Sequence, residues 1–193
     1  MNTLSKRQQE IVEKAIEIIA NEGLHKLTTK NLAEKMGFSE PALYRHFNDK
    51  KEILVTLIHF IEKNMLRLTD QINSKKPAEE LFNDLTCLIT AYLKKVKGVT
   101  ILIMSESSLE NDEITREAMF SFYKKMLEKI ANLLLLKKQS GEIRKDVNEW
   151  VAAQVYLGII QSMVLKYFLS GKVFGIDKDC NEIVKIFLKG VLV

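Results

Sequence analysis

Residues 28–54 read TTKNLAEKMGFSEPALYRHFNDKKEIL, which is two helices too short to stand alone and the start of a long one. Thr28 or Thr29 can cap the first helix, whose inward residues are then Leu32, Ala33 and Met36. Gly37 follows, a residue able to take the positive φ that a sharp turn between two helices demands. Ser39 is the natural cap of the second helix, and Pro41 falls in its first turn, where a missing amide hydrogen is harmless. Leu43 and Phe47, four apart, face inward. That leaves Glu40, Tyr44, Arg45 and Asn48 outside, with Pro41 and His46 at the flanks. Asp49, three residues before Glu52, caps a long helix striped by Ile53, Leu57, Ile61, Met65, Leu68 and Ile72.

The same reading extends outward in both directions. Upstream, Ser5 and Gln8 have capping-box spacing, Ile11, Ala15, Ile18 and Ile19 form one helical stripe, and Gly23 stops it. Downstream, Leu81, Leu85, Leu88, Tyr92 and Val96 stripe a helix ending at Gly98, and a less regular piece covers 99–109. Met119, Phe122, Tyr123, Met126, Ile130, Leu133 and Leu134 stripe the next, which stops near Gly141. A nearly all-apolar helix runs over 146–170, broken by Gly171 and Gly175, and Ile183, Val184, Phe187, Leu188 and Val191 mark the last. With only 8 glycines and 2 prolines in 193 residues, sheet-rich folds full of tight turns are excluded, and the composition predicts an all-α chain. An apolar share of 47% is enough to bury a core, and the length holds one large domain or two small ones.

The net charge of +4 is too small to argue for or against nucleic acid, which needs a local basic surface. Cys87 and Cys180 stand far apart without Cys or His companions, so they predict reduced, buried thiols and neither a zinc site nor a disulfide framework. His25 and His59 likewise lack metal-spaced partners. The start carries acids and an amphipathic period instead of a continuous apolar core, which predicts no secretory signal and a cytoplasmic chain. Residues 150–169 are long enough to span a membrane, but Lys166 in their midst argues against it at about 2.5–3.5 kcal/mol. A helix apolar on nearly all sides in a soluble protein calls for a second copy, so we expect a homodimer with Val155, Ile159, Ser162, Met163 and Phe187 at its interface.

These residues together resemble the DNA-binding segment of the TetR family of bacterial transcriptional regulators. The features that carry the likeness are Gly23, the threonine pair, Leu32-Ala33, Gly37-Phe38-Ser39, Leu43-Tyr44-Arg45-His46-Phe47, and Lys50 with Leu54. A weaker likeness, to the lead into the family's eighth helix, lies in Gly141-Glu142-Ile143-Arg144-Lys145-Asp146 followed by Ala152-Ala153 and Leu157-Gly158. The resemblance implies a dimer of about nine helices per chain. A helix-turn-helix DNA-binding domain would cover 1–48, and a helical effector-binding and dimerisation domain 49–193. It implies backbone contacts from Tyr44, His46 and Lys50, and a ligand-released repressor of a double-stranded DNA operator.

The residues qualify that picture. Thr28, Thr29 and Lys30 can meet phosphate, although plain capping serves the two threonines equally well. Tyr44 can instead pack on the first helix. Arg45 can bond guanine with two hydrogen bonds or reach only phosphate, and Ser39 and Pro41 complete the DNA-facing set. Glu40 is the odd member: it repels phosphate unless it accepts from a cytosine amine. Lys51 adds a charge suited to phosphate. Phe60, Met104, Met119, Phe122, Tyr123 and Met126 are core residues first. Several of them, with Cys87 and Tyr92, are also candidates to line a pocket for a small apolar or amphipathic effector. No nucleophile elbow, phosphate-cradling loop or metalloprotease motif occurs, and Ser105, Ser107 and Ser108 have no identifiable base, so no enzyme and no cofactor are expected. Two alternatives belong to other classes: a DNA-binding architectural protein without an effector, and a small-molecule binding protein whose helix-turn-helix is vestigial.

Overall fold

The computed structural model describes residues 4–107, 112–171 and 180–193. Among them the helices are α1 (Lys6–Glu22), α2 (Thr29–Lys35), α3 (Glu40–Leu43), α4 (Lys50–Asp70), α5 (Ala78–Lys95), α6 (Val99–Ser107), α7 (Glu113–Gln139), α8 (Glu149–Leu169) and α9 (Cys180–Val191). A single 3₁₀ turn, Leu24–Lys26, follows α1. The described residues contain no strand, only an isolated antiparallel bridge between Ile143 and Leu192. The chain is all-α, as its composition predicts. Ser108, Leu109 and Gly175 lie outside the described residues.

Two compact units divide the chain: Met1–Lys63 with Val96–Phe122, and Asn64–Lys95 with Tyr123–Val193. In the first, α1 opens on the expected capping box, Ser5 accepting from the Gln8 amide while the Gln8 side chain accepts from the Ser5 amide. It closes on Gly23 at φ 91°, where any larger residue is strained and its Cβ, 2.9 Å from the His25 ring, makes that ring shift. Its stripe of Ile11, Ala15, Ile18 and Ile19 is buried, together with Leu32 and Ala33 of α2, Leu43 and Phe47, and the first half of α4. α6 packs on α1 and on the 3₁₀ turn. The compact units do not part after residue 48, where a domain division is expected. Compactness falls elsewhere because Ile53, Leu54, Leu57, Ile58 and Ile61 are buried, and because Val99 and Ile103 bring α6 into this unit.

In the second unit α5 packs on α8 and α9. Phe82, Tyr156 and Phe187 meet edge-to-face or tilted, with ring centroids 5.3–6.1 Å apart. The Tyr156 hydroxyl donates to the Phe82 carbonyl at 3.0 Å and lies 2.6 Å from the Thr86 hydroxyl, so the polar end of this buried ring is satisfied. Phe187 and Met163, expected at a face between copies, are instead 7% and 6% exposed within one chain. Both stand on the side of their helices that this aromatic core claims. Glu142 fastens the start of α5 by accepting from the Ala78 amide at 2.6 Å, the Lys137 ammonium at 2.9 Å and Ser140 at 2.9 Å. Burial would raise its carboxyl's pKa, but those donors outweigh it and hold it below the ordinary carboxylate value.

α8 is long and apolar enough to cross a membrane by length and composition. One side of it, from Ala152 and Ala153 through Tyr156 and Ile160 to Val164, is buried in the chain's own core. Val151, Val155, Leu165 and Leu169 form an exposed stripe on the other side. Cys87 is exposed on α5 and not a buried thiol, because Thr86, Ile89 and Thr90 occupy that helix's inward side.

Candidate nucleic-acid interface

Seven residues in α2 and four in α3 are too few for stable isolated helices, so the site depends on its caps and neighbours. Thr28, not Thr29, caps α2, accepting from the Asn31 amide at 3.0 Å. The helix ends on a Schellman turn: Phe38 N–H donates to the Ala33 carbonyl at 2.9 Å, and Gly37 N–H to that of Glu34 at 3.0 Å. Gly37 holds φ 71° there, the left-handed conformation expected of it. Ser39 is the N-cap of α3 by position only, since its side chain makes no capping hydrogen bond. α3 ends at Leu43, although Phe47, expected on its inward side, still donates its amide to the Leu43 carbonyl at 3.2 Å. The His46 amide donates to the same carbonyl, a tighter i−3 bond.

α1 braces this pair of helices from three points that sequence spacing does not reveal. The Arg7 guanidinium lies 4.6 Å from the centre of the Phe38 ring, and the Gln8 amide donates to the His46 carbonyl at 3.3 Å. Lys35 pairs with Glu22 at 2.7 Å, and that contact draws the Glu22 carboxyl below its ordinary value. α4 then starts on Asp49, which accepts from the Glu52 amide at 2.8 Å. Glu52 reaches back to the amide and side chain of Asn48 at 2.6 and 2.9 Å.

Lys30, Ser39, Pro41, Tyr44 and Arg45 are exposed, and Lys50 is half-buried at the first position of α4. Tyr44 is 48% exposed, and its hydroxyl faces Thr29 and Glu40 at 3.4 and 3.5 Å, so it does not pack on α1. His46 is half-buried, with its carbonyl taken by Gln8. Lys51 lies 3.7 Å from Asp112, a carboxylate that also accepts from Thr115 at 2.7 Å, so this cation is turned toward the start of α7. Thr29 and Glu40 are joined directly, the Thr29 hydroxyl donating to the Glu40 carboxylate. The spacing of Glu40 and Tyr44 foreshadows their proximity. Nothing in the sequence points to Thr29, eleven residues away and on another helix. The site is thus a set of hydroxyl, guanidinium and ammonium donors beside one carboxylate. Such donors suit phosphate oxygens and base edges.

The other expected site residues scatter between the two units. In the first, Phe122 is buried, Phe60 half-buried and Met104 43% exposed. In the second, Tyr92 and Met126 are buried, Tyr123 is half-buried and Cys87 is exposed. Burial is the leading influence on the Tyr92 hydroxyl and pushes its pKa up to about 12, with Asn64 and Arg67 pulling the other way. Of the interface candidates, Val155 and Ser162 are exposed and Ile159 half-buried, along the outer side of α8. Among the described residues no cluster of three or more His, Cys, Asp or Glu side chains is placed to hold a metal ion.

Residues 11–57 match the model of the bacterial regulatory proteins of the tetR family. Over 196 aligned residues the chain is 24% identical to the fatty acid metabolism regulator protein of Bacillus subtilis, covering 96% of this chain and 95% of that one. It is 25% identical over 166 residues to the nucleoid occlusion factor SlmA of Vibrio cholerae, covering 85% of each. The fold matches the crystal structure of FadR from Bacillus subtilis in complex with stearoyl-CoA, with a TM-score of 0.82 and 21% identity over 94% of this chain and 98% of that one.

Proposed function

The chain carries, in residues 11–57, the N-terminal domain of the bacterial regulatory proteins of the tetR family, and from that premise we propose that it is a homodimeric, cytoplasmic repressor released from its operator by a fatty acyl effector. One observation carries the DNA-binding part. Tyr44 and Arg45 are exposed in the turn that closes the short α3, in a segment held by a Schellman turn and by braces from α1, a few residues before Lys50 opens α4. In this reading α3 enters the major groove and α2 crosses the backbone, as helix-turn-helix proteins dock. Lys30, Tyr44, His46 and Lys50 meet phosphate, and Arg45 reads a base. Two chains pair through the exposed side of α8, with Val155, Ile159 and Ser162 in the contact, and set their recognition helices about 34–36 Å apart. α4 runs unbroken from Lys50 to Asp70, about 30 Å at 1.5 Å per residue, and serves as the lever from body to DNA.

The effector class rests on the relatives: one is named a fatty acid metabolism regulator, and a matching fold is described with stearoyl-CoA. A ligand that prefers one spacing of the recognition helices lowers operator affinity by linkage. The test is retardation of duplex DNA from the chain's own upstream region, titrated with stearoyl-CoA. Release at micromolar ligand supports the proposal. The similarity to nucleoid occlusion factors favours a second reading, a DNA-binding factor without effector control. It predicts that the complex survives every acyl-CoA tried. Failure to retain any duplex at low salt defeats both readings.

A further inference from the structure

We propose that the Glu40 carboxylate occupies, in the free protein, the place a DNA phosphate takes between the Thr29 and Tyr44 hydroxyls, and so sets how tightly this protein holds DNA of any sequence. The inference rests on the DNA-binding reading above. The Thr29 hydroxyl donates to Glu40 Oε1, and the Tyr44 hydroxyl lies 3.5 Å from that same oxygen and 3.4 Å from Thr29 Oγ1. One anionic oxygen therefore sits against two hydroxyls from two different helices.

A carboxylate oxygen and a phosphate oxygen ask the same thing of a hydroxyl, a donated hydrogen bond to a charged acceptor. A threonine hydroxyl has one hydrogen to give, and that of Thr29 is committed to Glu40. Thr28 is committed differently, its oxygen capping α2, so its hydrogen is not the one Glu40 holds. A phosphate arriving at this point must displace the carboxylate before Thr29 can donate to it, and it meets a like charge while doing so. Both costs are independent of base sequence. Glu40 is thus a residue that limits affinity and spares discrimination.

The experiment compares full-length wild-type protein with Glu40→Gln, Glu40→Ala and Glu34→Gln, the last removing an exposed acid elsewhere on α2. Binding is measured on random-sequence duplex and on the tightest duplex selected from it, across a salt series. Glu40→Gln and Glu40→Ala should tighten both complexes alike, by about tenfold for the loss of one like charge beside phosphate. The salt slope should steepen by up to about 0.9 for each phosphate newly engaged. Glu34→Gln should change little. Thr29→Val should cost several-fold in the Glu40→Ala background and clearly less in the wild type, where the hydrogen it removes is shared with Glu40. A long-range charge effect would not produce that coupling.

Unchanged affinity in both Glu40 variants, or an equal gain from Glu34→Gln, overturns the inference while DNA binding stands. A loss confined to the selected duplex, with a changed preference at one base pair, also overturns it and makes Glu40 a base reader. If no folded variant, nor the wild type, retains any duplex at low salt, the DNA-binding reading falls and takes the inference with it.

Discussion

Helix α3 holds four residues and owes its position to other elements, whereas α8 holds 21 and buries one whole side in its own core. α3 is anchored by the buried Leu43, and Glu40 and the turns on either side of it are tied to α1 and α2 by polar and cation–π contacts, each worth about a kcal/mol, which place a few donors at defined points. α8 is fixed by area: its inner side is core, and its outer side repeats Val151, Val155, Leu165 and Leu169 around Ser162. Geometry from the first kind of region suits reading a duplex. Adhesion from the second suits pairing two copies, where position matters less than apolar surface.

The largest effect expected from this contrast lies on the outer side of α8. Val155→Glu combined with Leu165→Glu should yield monomers by sedimentation and weaken DNA binding by about 10²–10⁴-fold, since each chain then meets one half-site without the other. A dimer that survives both changes breaks the assignment of this side. On the inner side, Phe82→Ala removes a ring packed on Tyr156 and Phe187 and should cost about 3–5 kcal/mol in chemical denaturation. A loss well under that range would mean that the aromatic trio is not the second unit's central support.

Turning to α3, Arg45→Ala should relax specificity at one base pair by about 1–3 kcal/mol in binding selection, with no loss of thermal stability because the side chain is exposed. Equal weakening on all duplexes would demote Arg45 to a phosphate contact. Lys50→Ala should weaken all sequences alike and lower the salt slope by about one.

The contrast also explains what could be read in advance. The Ser5 and Asp49 caps, the Gly37 turn, the α1 stripe and the α4 stripe from Ile53 to Met65 follow from spacing within a few residues and stand where the spacing puts them, whereas Leu68 is half-buried and Ile72 falls past the end of α4. Arg7 on Phe38, Gln8 on His46 and Thr29 on Glu40 join residues far apart in the chain, and no local pattern encodes such meetings. α8 poses the opposite difficulty. A helix apolar all round declares that both sides are covered, but periodicity does not say which side takes its own chain. Met163 and Phe187 accordingly belong to the protomer core, and Val155 to the outer stripe.

The smallest expected effect concerns pH and the Glu142 clamp on α5. Its carboxyl is held below its ordinary value in the folded chain, so the stability it gives is present above about pH 4.5 and is lost as pH falls through the lowered folded value. Glu142→Gln should reduce stability slightly at neutral pH and flatten the acid limb of the melting curve. An acid limb identical to that of the wild type would remove Glu142 from the account.

Selection of random duplexes by the intact protein, followed by footprinting of the winner, tests the central claim most directly. The account predicts an enriched inverted repeat, protected in two half-sites whose centres lie about one helical turn apart. A folded dimer that enriches nothing and protects nothing at low salt contradicts it.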